Sequence, residues 1–458
     1  MYRKLLKNIS LISLGTLASK IIVYLMIPLY TSILTTEEYG VTDLIFTTVS
    51  LLMPLISMEI SNALMRFLLD KDYDNNTIFS CCSLILFVSI LIFIICIPIL
   101  YCVSVFKNYI LLVGIYYFTN LINGYVQCMA RGIDLVKEYS IAGIIQTLFT
   151  VLFNILFLIV IPLDITGYLM AYSFGAAVSA IYLIIIIKIR KNIKFDFKLV
   201  NKTVLYELLA YSIPLIPNSL LWWISNSSDK YILTLFKGVS EVGIYSVAYK
   251  IPTILTVLSS IFITAWQISS VDDFGSESNR MFFRDIFKKY LFLTVTMTMA
   301  INLFLKIICG FMFSKNFYSA WEIVPILLIG FVYYNMSVFY GTIYTAAKKT
   351  KMVMISTLIG SLLNIILNFI LIPKWGMYGA SIATTISYIV IYFMRKYDTK
   401  KFMDLEIKNI DIIYGILMIF QILTVYNNLY ILNIICIIIM IFIFLLSQKG
   451  GLKRNGNM

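Results

Sequence analysis

Histidine is absent from this chain of 458 residues. Imidazole acid–base catalysis and histidine metal sites are thereby excluded. Charged residues are scarce, 13% against 60% hydrophobic, and the mean hydropathy is +0.92. No water-soluble globule carries so much apolar sequence. Acidic residues number 23 against 36 basic ones. The seven cysteines, Cys81, Cys82, Cys96, Cys102, Cys128, Cys309 and Cys436, all lie in or beside apolar runs. They have neither metal-site spacing nor a long external loop to staple, so they read as small packing residues. The phosphate loop GxxxxGK[ST] is missing, which excludes ATP hydrolysis by that route. No catalytic residue, metal or cofactor is expected.

What is present is a succession of apolar runs long enough to cross a bilayer, which takes about 20 residues each. They fall at 9–34, 43–69, 78–104, 108–130, 140–162, 166–188, 205–236, 241–268, 288–309, 322–347, 353–372, 378–396, 410–427 and 429–447. The first follows Arg3, Lys4 and Lys7 but is too long for a signal peptide, so it reads as a membrane helix. Basic residues crowd into every second gap. Of the 36, 27 lie in one set of gaps and the termini, and only Lys107, Lys237, Lys306, Lys315 and Lys374 lie in the other set. Positive loops stay in the cytoplasm, so both ends are expected inside. The pI near 9.2 therefore reflects topology and anionic lipid, and nucleic acid is not an expected partner.

An internal repeat organises the runs. Glu38 and Gly40 after the first span match Glu241 and Gly243 after the seventh, at an offset of 203. Asn154, Pro162 and Gly167 recur as Asn364, Pro373 and Gly379, and Gly124 with Ala130 as Gly341 with Ala347. The expected architecture is all-α and polytopic, with about fourteen transmembrane helices. A six-helix lobe at 1–188 leads through a basic cytoplasmic linker at 189–204 to a second six-helix lobe at 205–396. A loop at 397–409, an extra helix pair at 410–447 and a basic tail at 448–458 follow. Repeats of six spans enter from the same side, which implies an axis along the membrane normal and a central cleft.

Ionisable groups inside spans are costly and mark a cavity or a partner. Lys20 is in the middle of the first span, Glu59 and Arg66 are in the second, Asp229 and Lys230 in the seventh, and Lys250 in the eighth. These are the opening helices of the two repeats, and several cations with few anions suit a phosphate or diphosphate. Plainer explanations stand beside that one: Arg66 snorkelling to headgroups, and Asp229 with Lys230 as a structural pair. Glu59 has two roles open to it, an ion pair with Arg66 seven residues on or a carrier of a coupling proton. Asp43 reads as interfacial. Pro28, Pro54, Pro98, Pro214, Pro217, Pro252 and Pro325 are expected to interrupt spans.

The stretch from Ser10 to Gly15 through Pro28-Leu29-Tyr30 and Glu38-Tyr39-Gly40 resembles the Wzx-type oligosaccharide flippases of polysaccharide export. So do Tyr211 to Pro217, then Asn226, Asp229-Lys230-Tyr231-Ile232-Leu233 and Gly243-Ile244-Tyr245, and Asn364 to Asn368 with Ile372-Pro373, Gly376 and Tyr378-Gly379-Ala380. The family usually has Asp-Arg where this chain has Asp229-Lys230, which keeps the charge and loses the bidentate fork. The resemblance implies membership of the MOP exporter superfamily. It also implies translocation of undecaprenyl-diphosphate-linked oligosaccharide across the bacterial plasma membrane for O-antigen, capsule or exopolysaccharide, by a monomer beside polymerase and export machinery. Lys20, Arg66 and Lys250 fall in the helices where the related lipid II flippases carry cavity cations. A drug or cation antiporter of the same superfamily would want acids where this chain has bases. An enzyme, such as a polymerase or glycosyltransferase, would want a sizeable external loop.

Overall fold

The computed structural model describes residues 19–70, 73–191, 196–269, 277–347, 349, 351–405 and 409–455. The Ser10–Gly15 motif, the first half of the opening span, and Arg3, Lys4, Lys7, Lys71, Lys194, Lys348 and Lys408 lie outside the described residues. Among the described residues there is no strand, and every expected span falls on helix.

The helices are α1 Ser19–Ile33, α2 Thr36–Ile56, α3 Ile60–Leu68, α4 Asn75–Tyr101, α5 Ile110–Gly132, α6 Val136–Val160, α7 Asp164–Lys191 and α8 Lys202–Lys237. They continue as α9 Val239–Ser269, α10 Glu277–Leu303, α11 Leu305–Met312, α12 Val324–Ala346, α13 Lys351–Thr399, α14 Ile410–Tyr426 and α15 Tyr430–Asn455. Among the described residues eight of them are long and apolar enough to cross a membrane unaided, and α10 and α11 form an apolar pair bent by 67°. The protein is a multi-pass membrane protein.

Proline explains several breaks, because it removes a backbone donor. A turn at Met26 precedes Pro28 in α1, and Pro214 sits in a tight 3₁₀ turn, Ile213–Leu215, inside α8. Pro98 and Pro252 leave their helices continuous, and Pro325 opens α12 instead of interrupting it. The two expected spans at 353–372 and 378–396 are two helices that meet within α13 in a kink at Gly376 (φ 51°, ψ −130°).

The chain divides into two compact units, Met1–Tyr231 and Ile232–Met458. The boundary between these compact units falls inside α8. The reason lies in the side chains of α8. Val204 and Leu208 pack into the core of the first unit with Ile60, Leu64, Ile78, Cys81, Met129 and Leu183. Elsewhere in that unit α6 and α7 come so close at Gly175 that a Cβ would collide with Thr150 Oγ1. Such small-residue approaches drive helix association in lipid, where apolar burial alone gains little.

In the second unit Trp266, Phe283, Phe287, Tyr290 and Phe339 make a continuous aromatic cluster. The extra helix α14 is tied to α13 by charge. Lys396 Nζ lies 2.6 Å from Asp411 Oδ2, which also accepts the Tyr392 hydroxyl at 2.7 Å. Arg395, at the end of the expected span 378–396, is buried. Its guanidinium donates to Ser356 Oγ, the Ser337 carbonyl, the Val353 carbonyl and Thr357 Oγ1.

Candidate substrate-binding site

The polar chemistry of the first unit concentrates where α8 runs antiparallel to α2. Ser219, Trp223, Lys230 and Tyr231 recur at helical spacing and so share a face. Lys230 Nζ reaches Asp43 Oδ2 at 2.6 Å. Tyr231 and Thr48 hydroxyls are 2.5 Å apart, and Trp223 Nε1 donates to the Thr47 carbonyl at 2.9 Å. Nearer the far end of α2, the Ser219 hydroxyl donates to Glu59 Oε1. One face of α8 is thus zipped to α2 along several turns.

Around Asp43 lies a ring of aromatics. Phe46 contacts Tyr116, Tyr168 and Tyr172, and Tyr168 contacts Tyr30 and Tyr39. The Asp43 and Lys230 side chains are 12% and 14% exposed. A carboxylate and an ammonium so enclosed stabilise each other, and removing one partner strands a charge at a cost of about 3–5 kcal/mol.

Between α2 and α3 the backbone turns left-handed at two consecutive residues, Met58 (φ 53°) and Glu59 (φ 55°). Such conformations cost on the order of 1 kcal/mol each for non-glycine residues. Glu59 holds the turn, with Oε2 accepting from Asn62 Nδ2 at 2.6 Å while Oε1 meets Ser219.

The expected site residues are distributed as follows. Lys20 is exposed on α1, Arg66 is exposed on α3, and Lys250 is half-buried on α9. Lys250 belongs to the second unit, the other five to the first. One expectation is corrected. Glu59 bonds to Asn62 and Ser219 rather than to Arg66. Seven residues of helix rise about 10 Å, and Arg66 instead meets Asp70 one turn on, at 3.9 Å. Asp229 Oδ1 accepts the Lys230 backbone N–H at 2.9 Å, and the Lys230 ammonium reaches Asp43 Oδ2. Asp43 is an enclosed partner of Lys230.

The sequence alone did not mark Asp43 as a site residue, nor the Lys396–Asp411 pair, nor the buried Arg395. One local signal for the second was there: Tyr392 and Lys396, four residues apart on one helix face, meet the same carboxylate.

The structure therefore defines a class, multi-helix membrane proteins of one recurrent fold. A lipid II flippase, MurJ in an inward closed conformation, aligns with TM-score 0.75 at 16% identity over 96% of this chain and 99% of that one. An inward-facing multidrug resistance MATE transporter of the MOP superfamily aligns with TM-score 0.66 at 13% identity over 85% and 97%. The family model described as polysaccharide biosynthesis protein matches residues 5–267, more than half of the chain, and the protein belongs to that family. The MatE model matches 214–370. A curated relative, the probable low-salt glycan biosynthesis flippase Agl15 of Haloferax volcanii, is 26% identical over 190 residues, 40% of each chain. The match thus spans well under two thirds of that relative's length.

Proposed function

We propose that this protein is a flippase that carries an oligosaccharide linked to undecaprenyl diphosphate from the inner to the outer leaflet of a bacterial plasma membrane. The observation that carries this reading is the polysaccharide biosynthesis family match over residues 5–267. The likeness to a chain named as a lipid II flippase supports it at the level of fold.

Lys20, Arg66 and Lys250 are the proposed diphosphate contacts. Lys20 and Arg66 are exposed and Lys250 is half-buried, and cations in apolar helices mark a cavity or a partner. Lys230 has a different part. Its charge is met by Asp43, so it positions α8 rather than gripping substrate, and Asp229 belongs with it. Glu59 holds the turn between α2 and α3 and is the proposed coupling carboxylate. Transport proceeds by alternating access, with both termini in the cytoplasm. Exporting negative charge from a negative interior is favourable by about 2.3 kcal/mol per charge per 100 mV. Membrane lipids surround a working monomer that hands its cargo to polymerase and export machinery, and the protein itself makes or breaks no covalent bond.

A second reading, a drug or cation antiporter, is favoured by the MatE match over 214–370. The two separate in proteoliposomes loaded with a labelled undecaprenyl-diphosphate oligosaccharide. Flipping by the wild type that Lys20→Ala and Lys250→Ala each abolish, with protein level and folding unchanged, is the expected result. Flipping untouched by both substitutions removes the assigned contacts and keeps the function. Efflux of cationic dyes without flipping establishes the antiporter instead.

A further inference from the structure

The segment after α7 presents charge and apolar surface together. Phe197, Lys198 and Leu199 form a single 3₁₀ turn capped by Asp196, whose Oδ1 accepts the Lys198 N–H at 2.9 Å. Phe197 is 69% exposed. The turn is pinned to α4, since the Asp196 N–H donates to Ser80 Oγ at 3.1 Å and the Asn201 N–H to Cys81 Sγ at 3.4 Å. Ser80 and Cys81 lie in the first two turns of α4, so the turn sits at the level where a membrane helix enters the bilayer. Beside it Ser83, Leu84, Phe87 and Phe197 line an apolar hollow of about 260 Å³.

The charge around this hollow is positive. Lys188, Lys198 and Lys202 are exposed. The nearby carboxylates are engaged: Asp196 caps the turn, Glu207 Oε2 accepts from the Tyr73 hydroxyl at 2.6 Å, and Glu138 holds Arg190 at 2.5 Å. Tyr206, also exposed, adds an aromatic of the kind that favours the membrane–water boundary.

We infer that this face is a binding site for an anionic phospholipid of the leaflet that the charge asymmetry assigns to the cytoplasm. The headgroup phosphate rests on Lys198 and Lys202, and an acyl chain lies in the hollow between Phe87 and Phe197. The occupant is bulk lipid and not a protein segment because apolar slot and lysines meet at the bilayer's entry level, where lipid is the solvent. The site stands whether or not the protein is a flippase.

The test uses the purified full chain with phosphatidylglycerol and phosphatidylcholine in native mass spectrometry. The wild type is expected to retain phosphatidylglycerol selectively through delipidation. Lys198→Ser with Lys202→Ser should reduce that preference by about five- to thirtyfold, since a lysine at an anionic surface is worth about a factor of five. Independently, Phe197→Trp should add fluorescence that brominated phosphatidylglycerol quenches more than brominated phosphatidylcholine. Equal retention by wild type and variant, equal quenching by the two lipids, or displacement of phosphatidylglycerol by equimolar undecaprenyl phosphate would each overturn the assignment.

Discussion

The Lys230 ammonium lies 2.6 Å from the Asp43 carboxylate although 187 residues separate them. The pair joins α2 to α8 within a single unit, and its enclosure makes it an all-or-none device. Asp43→Asn and Lys230→Met are each expected to lower stability by about 3–5 kcal/mol, and the double variant by clearly less than their sum. Thermal unfolding of all three in detergent measures the coupling. Strict additivity would mean that the two charges do not interact.

The Lys396–Asp411 pair makes the same argument for the extra helices. Its side chains are 9% and 1% exposed. Asp411→Ala leaves Lys396 buried and removes the acceptor of the Tyr392 hydroxyl. We expect α14 to loosen by about 3–5 kcal/mol and limited proteolysis in the loop at 397–409 to accelerate by more than tenfold. Cleavage at the wild-type rate would show that α14 is held by its apolar contacts alone.

Gly376 stands at φ 51°, and a Cβ there would meet the Glu241 carboxylate at 2.6 Å and 2.8 Å. The Glu241 side chain, from α9, thus caps the break in α13 by packing against it. Gly376→Ala should cost about 1–3 kcal/mol through backbone strain and displacement of that cap. Adding Glu241→Ala should leave most of the loss, because the strain remains. Full recovery in the double variant would assign the whole cost to the clash.

Gly175→Ala tests the α6–α7 approach. Its Cβ would also stand 2.9 Å from the Gln146 carbonyl, a backbone atom that cannot rotate away. Overpacking of this kind costs about 1–3 kcal/mol, read as a lowered unfolding temperature in detergent. Gly143→Ala, where nothing lies within 4 Å, should leave that temperature unchanged.

Much of the fold was legible in the chain because length and apolarity dictate a membrane helix directly. The expected span at 108–130 is found at Ile110–Gly132, and that at 322–347 at Val324–Ala346. Where a helix goes next is another matter. The apolar pattern of 353–372 and 378–396 reveals two helices, but not that they meet directly in a kink at Gly376. The site was less legible still, since which charge meets which depends on the face a helix presents to a distant neighbour. Glu59 and Arg66 share a face yet lie too far apart along it, and Lys230 finds its acid on α2. The matching Glu38 and Glu241 illustrate the limit of a repeat. Glu38 closes a capping box with Thr35 on its own helix, whereas Glu241 reaches across to the break at Gly376.

The division of the chain inside α8 has a consequence for anyone who takes the protein apart. A cut in the basic stretch at 189–204 would separate the sequence repeats but not the structural units. The second fragment would carry Ser219, Trp223, Lys230 and Tyr231 away from Glu59, Thr47, Asp43 and Thr48 on the first. Two such fragments made from separate messages should therefore find each other in the membrane and co-purify, as the halves of a split reporter do.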